Sequence, residues 1–318
     1  MSPFDEQYVA LTELAGVVDF SLRTRIEVLG DDRASFLHNL STNDVKKLRP
    51  GEGCEAFFLD ARGHVIGHGF LICRPESIVI EAVAGQNERL LKHLDRYLIR
   101  EKVELADRTG DWGELLVSGG RSQELLSRLG GELPIDRLAS TETTIAGQAA
   151  TVVRVEMTGA DGYLLFCAAG AQQSIAETLA SAGVMSCQAE SLEAARIEAG
   201  FPWYGQDITD KNLPQEVNRD ESAISFKKGC YIGQETVARI DALGHVNKKL
   251  LRIQFAGRQV PPPGAELRSG EQTAGEVTSA AYSPRHEAAV ALAYLRRGSD
   301  APGTELSSDF GPTTVMPT

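Results

Sequence analysis

The sequence predicts an α+β protein built from more than one packed unit, and three observations carry that expectation. Helix-period apolar stripes and strand-like runs alternate through the first 240 residues without a regular strand–helix–strand period, which argues against a doubly wound sheet. Residues 201–226, with their Gly, Pro, Asp and Asn, show no periodicity and read as a long loop, which inside a compact protein is usually functional. Beyond Ile240 short apolar pieces are punctuated by Pro261-Pro262-Pro263-Gly264, Gly270, Gly275 and Gly298, the pattern of a small all-β unit. The boundary falls in the link 242–247, dividing the chain into 1–244 and 245–318.

Asp31 and Asp32 are acceptable N-caps for a short helix carrying Phe36, Leu37 and Leu40 and ending near Thr42-Asn43. Ala56–Leu59, a turn at Asp60–Gly63, and Val65–Ile72 read as a hairpin, with Ile78–Ile80 a further strand. Leu90, Leu91, Leu94, Tyr97 and Leu98 make a helical stripe over 86–99. Strands are expected at 115–117, 152–155 and 163–166, and helices at 123–129 and 172–182. Ser191 is the expected N-cap of a helix ending at Ala199, with Gly200 as its stop. Thr236–Ile240 reads as helix with Val237 and Ile240 inward, Leu250–Phe255 as a strand, and the tail after Ser307 as frayed.

The chain of 318 residues carries 32 Lys and Arg against 44 Asp and Glu, a formal charge of −12, which disfavours nonspecific contact with nucleic acid or anionic membrane. No direct DNA binding is expected. Lys248, Lys249 and Arg252 read as solvated surface. Five widely spaced cysteines suggest a reducing compartment, and with neither a signal-like start nor an apolar run of membrane length, a cytoplasmic location away from membranes is expected.

Cys230 lies in Lys227-Lys228-Gly229-Cys230-Tyr231-Ile232-Gly233-Gln234-Glu235. Neighbouring ammonium groups and a helix start both stabilise a thiolate, so the residues leave two readings open, a reactive thiol assisted by Lys228 or a small buried residue. No Cys-x-x-Cys pair occurs, and no His lies within four residues of a Cys. His64 and His68, in a strand, lie about 13 Å apart, too far to share a zinc. No metal site is expected. Phosphate-binding and nucleophile-elbow motifs are absent. Glu198, Asp207, Asp210, Glu216 and Glu235 flank Trp203 and Tyr204, where a planar heterocycle could stack while a carboxylate accepts its N–H groups; a solvated acidic loop fits the same residues.

Three segments together look like one family. Arg196-Ile-Glu198-Ala-Gly200-Phe-Pro-Trp-Tyr-Gly205, Lys228-Gly-Cys230-Tyr-Ile-Gly233-Gln-Glu235 and Gly275–Pro284 resemble the YgfZ branch of the glycine-cleavage T-protein (aminomethyltransferase) superfamily. Phe36–Val45, Leu59–Gly63 and Thr158–Tyr163 match as well. The resemblance implies two interleaved α+β subdomains and a C-terminal β-barrel around a central channel that holds tetrahydrofolate. It also implies an accessory role for iron–sulfur cluster assembly or repair, with iron–sulfur enzymes that modify tRNA, or assembly factors, as partners and Cys230 as the functional thiol. Arg196, Glu198, Trp203, Asp207, Tyr231, Gln234 and Glu235 are the residues carried over to the surroundings of the folate and the thiol.

The family's pterin-gripping carboxylate and arginine fall at Leu164 and Leu192, and no catalytic aspartate is found near Ile78–Ile80, where Glu76 is not assigned that role. Ordinary aminomethyl transfer therefore lacks its general acid. A folate-dependent aminomethyltransferase or other one-carbon transferase is the alternative reading.

Overall fold

The computed structural model describes residues 2–317. The chain opens on α1 (Pro3–Thr12), where Ser2 and Asp5 form a capping box with Pro3 in the first turn. Then follow β1 (Gly16–Asp19), β2 (Thr24–Leu29), α2 (Arg33–Leu40), the hairpin β3 (Gly53–Leu59) and β4 (Val65–Cys73), β5 (Ser77–Ala82), α3 (Asn87–Asp95) and β6 (Glu104–Asp107). Next come β7 (Trp112–Ser118), α4 (Ser122–Arg128), β8 (Ser140–Ile145), β9 (Gln148–Val155), β10 (Gly162–Ala168), α5 (Gln172–Ser181), β11 (Met185–Ser186) and α6 (Ala189–Ala199). The 201–226 loop holds a single 3-10 turn and the short α7 (Asp220–Ala223), and leads to α8 (Gln234–Leu243). The remaining strands are β12 (Lys248–Phe255), β13 (Glu266–Ser269), β14 (Gln272–Ser283), β15 (Ala288–Arg296), β16 (Glu305–Leu306) and β17 (Thr313–Val315).

The α+β expectation holds. One sheet has the order β3-β4-β5-β2-β6 and a second the order β11-β1-β7-β10-β9-β8. The chain enters the second sheet with β1, leaves to build all of the first, and returns, so the two subdomains interleave. Alternation along β10 serves two cores: Leu164 and Phe166 face Phe70, Ile72 and Val79 between the sheets, while Tyr163 and Leu165 face Leu126, Ile175 and Leu179 of α4 and α5. The outer face of the first sheet is covered by α2 and α3 through Phe36, Leu37, Leu40, Leu90 and Leu94. A third sheet, β13-β14-β15-β12-β17-β16, curls until an Arg268–Ser307 bridge joins its edges into a nearly closed barrel around Ile253, Phe255 and Leu267.

Two local expectations are corrected. The tail is ordered, because β17 pairs with β12 and supplies Val315 to the barrel core. Ser191 lies inside α6, whose N-cap is Gln188; the amide of Gln188 donates to Oε1 of Gln7, so a distant side chain does the capping. Gly200, left-handed at φ 77°, ends that helix as expected. Among the described residues no helix is long and apolar enough to cross a membrane.

Candidate functional site

The loop carrying Cys230 is fixed by its neighbours. Lys228 is buried, and its Nζ donates to the carbonyls of His38, Ser41 (2.6 Å) and Asn43 (2.9 Å) at and just beyond the end of α2. Those are carbonyls that a helix end leaves without intrahelical partners. Burial lowers the Lys228 ammonium to about 8, yet three acceptors for three donors suit the charged form, so it is protonated at neutral pH. Lys228, read as assisting the thiol, therefore spends its donors on backbone. The amide of Ile232 donates to Asn39 O (3.0 Å), Thr236 Oγ1 to Arg62 O (2.8 Å), and a Cβ at left-handed Gly233 would lie 2.7 Å from the Asp60 carbonyl oxygen. Cys230 projects from this anchored loop as the single exposed cysteine. Burial pushes the Cys54 thiol up to about 12 and Cys187 to about 11, and raises Cys73 and Cys167, which keeps those four protonated.

Tyr231 is buried, its ring 4.6 Å from Lys228 Nζ and its phenol pushed up to about 12 by burial. Half-buried Gln234 and exposed Glu235 open α8, which begins four residues beyond Cys230.

The other four predicted residues sit elsewhere. Arg196, fully buried, donates to Asp207 Oδ2 (2.7 Å), Glu193 Oε2 (2.6 Å) and Phe201 O (3.0 Å), and its guanidinium stacks 4.6 Å from the Trp203 ring. Asp207 also accepts from Trp203 N (2.9 Å), Thr278 Oγ1 and Ser279 Oγ (both 2.6 Å), which fills its acceptor sites. Glu198 accepts from Tyr8 (2.7 Å) and Ser283 (2.6 Å) and pairs with Arg285 (2.8 Å). These groups bind α6 and its following loop to α1 and β14, and none of their hydrogen bonds reaches residues 228–236. Tyr231 and Ile197 of α6 share one apolar cluster, which separates the two sets. Leu164 and Leu192 are buried in the layer between the sheets.

Two features were not read from the sequence. Glu55 is wholly buried on β3, its carboxylate held by His68 Nε2 (2.7 Å), Arg219 (2.7 Å from Nη2) and Arg137. Burial would raise this carboxyl, and Arg219 together with His68 overrides it, holding the group well below the usual carboxylate range. The His68 ring stacks on Phe57 at 4.9 Å, and Arg219 lies over Phe201 at 4.9 Å. The signal was available: the hairpin register pairs Glu55 with Phe70 and Phe57 with His68, so all four share a face, and an inward carboxylate in a strand needs a partner.

The second feature is a cleft of about 710 Å³ where loop residues 206–212 meet the barrel. Lys211, Lys248 and Arg296 line it together with Tyr294 and Thr278. Lys248, read as solvated surface, lies 4.7 Å over the Tyr294 ring, and the Tyr294 hydroxyl is buried without a partner. Its volume falls in the range of small-molecule sites, and its three cations suit an anionic ligand.

Comparison with known proteins gives a consistent assignment. Residues 3–228 match the model of the GCVT N-terminal domain, and residues 248–316 that of the glycine cleavage T-protein C-terminal barrel domain. An aminomethyltransferase of Symbiobacterium thermophilum is 30% identical over 318 residues, covering 95% of this chain and 84% of its own length. A putative chloroplastic transferase of Arabidopsis thaliana is 27% identical, over 95% of this chain and 70% of its own. The crystal structure of the glycine cleavage system aminomethyltransferase T from Bartonella henselae superposes with a TM-score of 0.89 at 20% identity, over 99% of this chain and 88% of that one, a likeness of fold.

Proposed function

The chain belongs to the glycine cleavage T-protein family, and from that premise we propose that it binds a reduced folate and acts as a folate-dependent one-carbon transferase. The cleft between loop and barrel carries this reading. Lys211, Lys248 and Arg296 would hold the carboxylates of the folate's glutamate tail, and Tyr294 would offer its ring and its unpartnered hydroxyl. Bound tetrahydrofolate supplies nitrogens that carry a one-carbon unit. His68, gripped by Glu55, is an oriented imidazole that can hold or pass a proton in the place of the general acid missing at Leu164. Arg196, Glu198, Trp203 and Asp207 serve here as the frame that fixes the loop over the barrel. The test is calorimetric titration with tetrahydrofolate, followed by assay of 5,10-methylenetetrahydrofolate turnover. Lys248→Ala is expected to weaken Kd roughly tenfold, the loss of one charge-assisted contact. No binding at millimolar ligand, or equal affinity in the variant, overturns it.

The exposure of Cys230, alone among five cysteines, favours a second reading, that of a YgfZ-type accessory to iron–sulfur enzymes working through this thiol. In a deletion strain scored on an iron–sulfur tRNA-modifying enzyme, Cys230→Ala is expected not to restore activity. Full rescue would remove the thiol from the function.

A further inference from the structure

The loop before Cys230 lies against a histidine that the sequence did not single out. His38, in the last turn of α2, is 6% exposed, and its imidazole makes no hydrogen bond with any described residue. Its Nδ1 lies 3.3 Å from Asp44 Oδ1. Its Nε2 lies 3.8 Å from where a Cβ on Gly229 would stand, and it is the one heavy atom within 4 Å of that point apart from Gly229's own chain neighbours. Lys228, one residue earlier, is bonded to the His38 carbonyl, and Ile232, two residues beyond Cys230, to that of Asn39, so both arms of the loop are pinned to the same turn of α2. A buried ring nitrogen without a partner is costly unless something comes to it. Here the group presented to it is the segment bearing the exposed thiol.

We propose that His38, oriented by Asp44, is the proton acceptor for the Cys230 thiol; this rests on the reading of Cys230 as a functional thiol. With Nδ1 turned to a carboxylate, the neutral ring carries its proton on Nδ1 and leaves the Nε2 lone pair toward the loop. The step is a proton transfer: the S–H bond breaks, its electron pair stays on Sγ, and the proton moves to Nε2. A thiolate is left beside an imidazolium whose charge Asp44 faces. The charged groups around the ring are Asp44, Lys228, Lys46 and Lys47; burial first and Lys228 second hold the imidazole below its ordinary range, so it is an empty acceptor at neutral pH. Lys228 thus serves the thiol indirectly, by fixing the loop to the turn that carries His38. The product is a nucleophilic thiolate suited to soft electrophiles, disulfides or a thiophilic metal centre.

The experiment is alkylation of the full-length protein with iodoacetamide between pH 5.5 and 9, with the Cys230 adduct followed by mass spectrometry. At pH 7 wild type is expected to react at least about tenfold faster than His38→Gln, with Asp44→Asn in between, and the wild-type profile alone should carry the step that follows His38. A rate for His38→Gln within about twofold of wild type, with an unchanged circular dichroism spectrum, overturns the proposal. Should that variant fail to fold, Asp44→Asn, which keeps the imidazole in place, decides: a wild-type rate refutes the pairing and a slower one supports it. Failure of the functional-thiol reading looks different, as full rescue by Cys230→Ala with the alkylation contrast intact.

Discussion

A buried lysine costs several kcal/mol unless its donors are met, and a helix end costs energy unless its carbonyls are met; at Lys228 each requirement answers the other. Lys228→Met keeps most of the side-chain volume and removes all three donors, leaving the carbonyls of His38, Ser41 and Asn43 without this partner. Loss of about 2–4 kcal/mol is expected, since some of those oxygens would regain water. It would appear as a lower urea midpoint and faster proteolysis within 226–230, and an unchanged midpoint would show the contacts to be energetically idle. The sequence places Lys228 beside Cys230, but nearness along the chain says nothing about where a side chain turns. That direction is set by α2, some 190 positions away.

At the scale of elements, what was legible was local. The β3–β4 hairpin follows from alternating apolar residues and an Asp-Ala-Arg-Gly turn, and α6 ends at the glycine expected to end it. The Cys230 loop stood out because its unusual residues are contiguous. What was missed depends on partners remote in the chain. Strand β17 has three residues and exists through pairing with β12. The start of α6 is capped by Gln7, which displaced the reading of Ser191. The Glu55 cluster draws on β3, β4 and the segments holding Arg137 and Arg219, so no window of sequence contains it. Helix α1 is the exception. Its Ser2-Pro3-Phe4-Asp5 signal was local and complete, but the N-terminus was read only for targeting features.

The two interleaved sheets are also joined by charge, and this makes the stability of the whole molecule depend on pH. Arg25 of β2 pairs with Glu114 of β7 (2.9 Å), and Arg23 pairs with Glu81 of β5, all four being buried. One oxygen of Glu81 and one of Glu114 are left without partners. Burial, reinforced by the Glu81 charge and opposed by the two arginines, pushes the Glu114 carboxyl up to about 8. In the unfolded chain it titrates near 4.5. Between those values the folded protein binds the extra proton, so this group's contribution is fully present below 4.5 and is lost as pH rises towards 8, by at most about 1.4 kcal/mol per pH unit. Other shifted groups act outside the upper part of that window. Asp220, raised to about 6 by burial, contributes below it, and His93, lowered to about 4 by burial, acts with the opposite sign below 6.5. Lys228, lowered to about 8, acts above it. From pH 6.5 to 8 Glu114 therefore sets the slope. Urea unfolding across that interval is expected to show wild-type stability falling as pH rises and Glu114→Gln, which mimics the protonated carboxyl, staying level. Wild-type stability that is constant or rising across the interval would mean that the inter-sheet cluster holds both carboxylates ionised and that the sheets are joined by two complete ion pairs.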